Sequence, residues 1–130
     1  DLATANTNSV GSSISIFLGT GTGSFAPALN YPVGNPQLIT LISADFNGDG
    51  NTDLATSNFS SNNISILLGT GTGAFSSPAS FMAGAGPRSL TSADFNSDGK
   101  IDIATANSLS GDVSILFGNG TGSLSSATKV

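Results

Sequence analysis

Histidine, cysteine, tryptophan and glutamate are absent from this chain of 130 residues, and lysine and arginine together number 3. Each absence removes a class of chemistry. Without cysteine there is no disulfide, no thiolate nucleophile and no cysteine-ligated zinc or iron–sulfur site. Without histidine there is no Ser-His-Asp triad and no imidazole general base. Arg88, Lys100 and Lys129 are too few to follow a phosphate backbone, so no nucleic-acid partner is expected. No apolar run approaches the roughly 18 residues that a membrane-spanning helix requires. Charged residues make up 8% of the chain, against about 25% in a typical soluble domain.

What fills the chain instead is small and polar: 22 Ser, 13 Thr, 12 Asn and 17 Gly. Beneath that composition lies a repeat. Asp1-Leu2-Ala3-Thr4-Ala5-Asn6 returns as Asp53-Leu54-Ala55-Thr56-Ser57-Asn58 and as Asp102-Ile103-Ala104-Thr105-Ala106-Asn107. Ser13-Ile14-Ser15-Ile16 returns as Asn63-Ile64-Ser65-Ile66 and as Asp112-Val113-Ser114-Ile115. A Gly-Thr-Gly-Thr-Gly stretch at 19–23 and 69–73 is matched by Gly118-Asn119-Gly120-Thr121-Gly122. The offsets are 49 to 52 residues, the period of a supersecondary unit rather than of low complexity.

Each unit reads as short strands. The Ile-Ser-Ile blocks alternate with period two, are β-branched and stop at glycine. No helical periodicity competes with them, and Gly, Ser and Asn disfavour helix throughout. Four antiparallel strands are expected per unit; in the third they fall at about 88–94, 102–107, 112–118 and 123–129. Pro36 and Pro87 sit at the start of a first strand, where a missing N–H costs little. Small residues such as Ala3, Ala55 and Ala104 suit sheets covered on both faces. The expected fold is therefore all-β, built of four-stranded antiparallel β-propeller blades. A β-sandwich also gives alternating strands but seldom repeats so evenly. The expected units are 1–35, a partial blade with strands two to four, then full blades at 36–85 and 86–130. This makes about 2.75 blades of an incomplete propeller.

All eight acids are aspartates. Six lie in two nonapeptides of the form D-x-N-x-D-G-x-x-D, Asp45–Asp53 and Asp94–Asp102, 49 residues apart. Short oxygen-bearing side chains at alternate positions of a tight loop converge on one point, and calcium wants six to eight oxygens. Asp45, Asn47, Asp49, Asn51 and Asp53 form one candidate set. Asp94, Asn96, Asp98, Lys100 and Asp102 form the other. Asn51 and Lys100 are expected to give only their main-chain carbonyl, while Asp53 and Asp102 close the cage. Gly50 and Gly99 occupy the sharp bend. The start resembles an EF-hand, but position twelve holds Thr56 or Thr105 rather than glutamate, and the flanks are strands. The cofactor expected is Ca2+, at two sites; magnesium, which keeps its waters, is the lesser option. Turn formation alone accounts for D-G and N-G dipeptides, but not for two loops in register that take six of the eight acids.

The sequence resembles the FG-GAP/VCBS-type calcium-binding repeat of integrin-α-like β-propellers. Phe117-Gly118 matches the FG element, Leu68-Gly69 nearly does, and Gly84-Ala85-Gly86-Pro87 is similar to the GAP element. The two aspartate loops match the family's calcium loops position by position. The resemblance implies a seven-bladed assembly, calcium between the first and second strands, and an extracellular or cell-surface role in binding or adhesion.

Asp1 stands where the ninth position of a third loop would be. The expectation is a piece of a longer propeller chain, or several copies that assemble as a ring or filament. A calcium-stabilised, non-catalytic interaction module is the leading function, with a protein or glycan ligand unidentified and a lectin-like propeller as the alternative. Catalysis has little to work with, since the carboxylates a glycosidase would pair are committed to the loops. Asp112, outside both loops, reads as a solvated turn residue, and Arg88 as a solvated cation. Phe46 and Phe95 are expected between blades, and Phe25, Phe75 and Phe81 in the core.

Overall fold

The structure is a computed structural model that describes residues 1–7, 11–34 and 37–130. The alternating segments form eleven strands. β1 (Leu2–Asn6), β2 (Ser13–Phe17) and β3 (Leu29–Pro32) make a first sheet in the order β1-β2-β3. β4 (Leu38–Ala44), β5 (Asp53–Asn58), β6 (Asn63–Leu67) and β7 (Ala79–Met82) make the second, in chain order. β8 (Pro87–Ala93), β9 (Asp102–Asn107), β10 (Asp112–Leu116) and β11 (Thr128–Lys129) make the third. Every pairing is antiparallel. The protein is thus all-β, in three antiparallel meanders; among the described residues the one helical turn is a 3-10 turn at Phe59–Ser61. Pro36 and the expected unit boundary between 35 and 36 lie outside the described residues.

The sheets stack face to face, and the period-two alternation decides which side chain enters which layer. β5 is buried along its whole length. Leu54 joins Ile14, Ile16, Val33, Leu38 and Leu67 in a core between the first and second sheets. Its neighbour Ala55 points the other way, into a core with Phe46, Ile64, Ile66, Leu90, Ile103 and Leu116 between the second and third. β4 touches both β1 and β8; β8 is its counterpart in the third sheet, whereas β1 corresponds to β5, and Thr40 Oγ1 donates to the Arg88 carbonyl at 2.6 Å. The recurrent Asn and Ser have a matching role inside each sheet. Asn6, Asn58 and Asn107 donate from Nδ2 to Ser15, Ser65 and Ser114 at 2.6, 2.8 and 2.8 Å.

The fourth strand of the third unit is shorter than expected. Instead of 123–129, only Thr128–Lys129 pairs as a strand, preceded by an isolated bridge from Gly118 to Leu124. The bridge is one residue out of register with the strand pairing of Ile115 and Thr128. Ser125 fills the slip: its Oγ accepts from Phe117 N at 2.9 Å while its own N donates to the Phe117 carbonyl at 2.8 Å. Ser76 does the same for Leu68, at 2.9 and 2.8 Å. A serine that answers both main-chain groups of one residue is a bulge device, and it interrupts the ladder.

Candidate metal centre

The two acidic loops connect β4 to β5 and β8 to β9, the first and second strands of their sheets. Each is wound by carboxylates that accept backbone N–H groups ahead of them in the chain. Asp45 accepts from Gly48 at 2.7 Å and Asp49 at 3.2 Å on Oδ1, and from Gly50 at 2.9 Å on Oδ2. Asn47 Oδ1 accepts from Asp49 N at 3.0 Å and Asp49 Oδ1 from Asn51 N at 2.8 Å. The second loop repeats the scheme. Asp94 accepts from Asp98 and Gly99 at 3.1 and 2.8 Å, Asn96 from Asp98 at 2.9 Å, and Asp98 from Lys100 at 2.9 Å. Gly50 and Gly99 turn the chain at φ of 83° and 82°, a region that costs a side chain about 1–2 kcal/mol.

These bonds favour the charged form. The Asn51 amide, then the Asn47 side chain, hold the Asp49 carboxyl below its ordinary range. For Asp94 the Gly99 amide has the largest influence in the same direction. Both groups are exposed on the loop surface.

Asp53 and Asp102 are placed differently from the other loop oxygens. Both are 0% exposed. Asp53 Oδ2 accepts from Phe46 N at 2.9 Å, and its Oδ1 from Gly69 N at 2.7 Å. Asp102 holds Phe95 N at 2.9 Å and Gly118 N at 2.8 Å. In the first sheet Asp1 Oδ1 holds Gly19 N at 2.8 Å. The ninth loop position therefore clamps the loop to the glycine that follows the third strand of the unit. That glycine is required: a Cβ on Gly69 would stand 2.1 Å from the Thr52 carbonyl oxygen, and one on Gly118 2.1 Å from that of Ile101. Sequence reasoning missed this clamp. Its trace is the recurrent spacing from Asp53 to Gly69 and from Asp102 to Gly118, 16 residues in both.

The side chains at position seven lie against the glycine-rich turn of the same sheet. Asn51 Oδ1 lies against Gly71, at 2.3 Å from where a Cβ would be, and the Lys100 stem lies along Gly120. Lys100 Nζ also reaches Asp98 Oδ2 at 3.7 Å. Among the described residues no three acidic side chains converge as a ready-made cation cage.

The aromatic residues divide. Phe46 is buried at 2% exposure, whereas Phe95, its counterpart in the second loop, is 43% exposed. Phe25, expected in the core, is 50% exposed and meets Phe17 edge-on. Tyr31 packs edge-on against Phe75, with ring centroids 5.7 Å apart.

Two polar residues also differ from expectation. Arg88 is not simply solvated: its guanidinium sits 5.3 Å from the centroid of the Phe59 ring, a cation–π contact. Asp112 is not a free turn residue but the first residue of β10. It pairs with Lys129 Nζ at 2.9 Å and accepts from Asn107 Nδ2 and Ser110 Oγ, both at 2.8 Å. The Lys129 hydrogen bond, followed by those of Asn107 and Ser110, lowers its carboxyl from 3.8 to about 2. A carboxyl depressed on folding stabilises above its unfolded value and stops doing so as pH falls through its folded one. Asp112→Asn is therefore expected to lower the melting temperature at pH 6, with the gap to the unmutated chain closing between pH 4 and pH 2. A gap that persists at pH 2 would show that the ion pair is not its source.

Fold and loops together define a β-sheet repeat protein whose inter-strand turns carry aspartates. A family model described as the FG-GAP-like repeat matches residues 45–105, from the first aspartate of one loop, through the other loop, to Thr105 in β9. That stretch is similar to an FG-GAP-like repeat. Comparisons with curated proteins and with solved structures give no match. Repeats of this family are generally non-catalytic, and among the described residues no helix is long and apolar enough to cross a membrane.

Proposed function

We propose that this chain is a calcium-stabilised, extracellular, propeller-type interaction module without catalytic activity. The observation that carries the reading is the pair of loops, 49 residues apart in sequence, that share one pattern of oxygen donors and amide bonds. The donors fit a hard cation: they are all oxygen, and each loop holds three carboxylates against at most one protein cation. Calcium would be held by Asp45, Asn47, Asp49, the Asn51 carbonyl and Asp53, and in the second loop by Asp94, Asn96, Asp98, the Lys100 carbonyl and Asp102. Asp53 and Asp102 would contribute through lone pairs left free by their two amide partners, since a carboxylate offers about four acceptor positions. The ion supplies charge neutralisation and a tie between successive strands; no reaction is assigned to it.

The partners proposed are further blades, from a longer chain or from other copies. Val113 on β10 is 38% exposed, whereas its counterparts Ile14 and Ile64 are 0% exposed beneath the next sheet. At the opposite end Leu2 is 48% exposed, against 3% for Leu54. One end therefore offers the face that the other end lacks, an arrangement that favours head-to-tail association. The native mass of the purified chain, measured with calcium and with chelator, tests this. A defined oligomer is expected; a monomer that melts cooperatively in both buffers overturns the reading.

A further inference from the structure

The turn after the third strand of each unit is built alike in all three sheets, but in one of them it opens on a reactive residue. Thr20, Thr70 and Asn119 hold that place, and their N–H groups donate to the carbonyls of Ser24, Ala74 and Ser123 at 3.0, 3.0 and 3.1 Å. In the first two turns the threonine hydroxyl repeats the bond, at 3.1 and 3.2 Å. Asn119 instead directs its carboxamide along the turn. Its Oδ1 accepts from Thr121 N at 2.9 Å, from Thr121 Oγ1 at 2.8 Å and from Ser123 N at 3.4 Å. The residue is exposed, and its Nδ2 has no partner among the described residues. Gly120 follows, with no side chain to shield its own N–H, which is likewise without a partner among the described residues.

Three donors on Oδ1 draw electron density from Cγ and stand ready for an oxyanion formed there. The nitrogen that would leave and the nitrogen that would attack are both untethered. Asn47-Gly48, the other Asn-Gly pair in the chain, is held differently. Gly48 N donates to Asp45 Oδ1 at 2.7 Å, and Asn47 Nδ2 donates to Asp49 Oδ2 at 2.9 Å. Both nitrogens of that pair are tied to carboxylates.

We propose that Asn119 is a site of spontaneous deamidation, activated by its own turn. Gly120 N gives its proton to solvent and attacks Asn119 Cγ. The N–Cγ bond forms, the Cγ–Nδ2 bond breaks, and Nδ2 takes up a proton and leaves as ammonia. The succinimide that results adds one water and opens at either carbonyl, giving aspartate or isoaspartate; nothing is oxidised or reduced. Aspartate keeps the acceptor for Thr121 and Ser123, and with it the turn. Isoaspartate routes the main chain through Cγ and lengthens it by one carbon. The added carbon falls between two ties, from Gly118 N to Asp102 Oδ1 at 2.8 Å and from Gly122 N to the Phe46 carbonyl at 3.1 Å. The second tie crosses from the third sheet to loop 45–53 of the second, so the isoaspartyl form loosens the seam between them.

The test incubates the full chain in chelator at pH 8 and 37 °C, cuts it with trypsin and reads the products by tandem mass spectrometry. Cleavage after Arg88 and Lys100 puts Asn47 and Asn119 on separate fragments. In the folded chain Asn119 is expected to convert at least about tenfold faster than Asn47, the factor that one retained hydrogen bond represents. In denaturant the two are expected to convert at similar rates. Thr121→Ala is expected to slow Asn119 about tenfold, less than the loss of a donor costs in a water-excluded site, and Thr121→Ser, which keeps the hydroxyl, to restore the rate. The aged chain is expected to melt below both the fresh chain and Asn119→Asp, because only isoaspartate alters the main chain. Conversion of Asn119 no faster than Asn47 in the folded chain, a difference that persists in denaturant, or an unchanged rate in Thr121→Ala would overturn activation by the turn. If Thr121→Ala does not fold, the two asparagines alone decide. An aged chain that holds isoaspartate at 119 and melts with the fresh one would overturn the loosened seam.

Discussion

Asp53→Ala is expected to destabilise the chain by about 2–6 kcal/mol in chelator, a large part of the 5–15 kcal/mol that holds a typical domain together. The carboxylate is 0% exposed and is the acceptor for two backbone N–H groups, those of Phe46 and Gly69. Alanine removes both acceptors and admits no replacement, and a buried N–H left without a partner costs about 1–3 kcal/mol. Asp53→Asn is expected to recover little, because its amide can accept from one of the two N–H groups while its NH2 faces the other. Asp1→Ala serves as the internal control. It gives up one amide bond at an exposed site, and its effect is expected to stay below about 1 kcal/mol. Denaturant melts at constant m-value report the difference. Asp53→Ala within about 0.5 kcal/mol of the unmutated chain would mean that water reaches those amides, and the clamp would then be no clamp.

Why this role stayed hidden in the sequence is a matter of what aspartate binds here. Its partners are main-chain amides, one 7 residues back and one 16 ahead, and an amide carries no residue-type signature. The strands were legible because Ile14-Ser15-Ile16 and its two echoes state their own periodicity, and a repeat states it three times. The fourth strand was not, because Ser125 answers both main-chain groups of Phe117, and no pattern of hydrophobicity records a bulge. Asp112 and Arg88 read as solvated because their partners, Lys129 and Phe59, reach them only after the sheet has formed. Phe46 and Phe95 are alike in sequence; only the stacking of a further sheet on one of them separates 2% exposure from 43%.

Calcium is expected to raise the melting temperature by roughly 10–30 °C, and Asp49→Ala with Asp98→Ala to abolish that rise. An ion that binds only the folded state stabilises it by about 2.7 kcal/mol per site at a hundredfold excess over Kd. Two sites then add about 5 kcal/mol, and about 2–6 °C accompanies each kcal/mol for a domain of this size. The aspartates at position five suit the test because their own protein contacts are modest. Asp49 touches Asn51 N and Asn47 Nδ2 at the surface, so its loss is expected to show in calcium and scarcely in chelator. Asp53, both a clamp and a proposed ligand, is expected to cost stability in both buffers, and the pair of results separates a loss confined to calcium from the loss of the clamp. The two loops are not expected to be equal. Lys100 brings a cation to within 3.7 Å of Asp98 and competes with the ion, whereas loop 45–53 has Asn51 in its place. The first loop is therefore expected to fill at lower calcium, and Lys100→Asn to bring the second closer to it. A calcium-induced shift that survives in the double variant, or one that magnesium reproduces in full, would place the stabilising ion somewhere other than these loops.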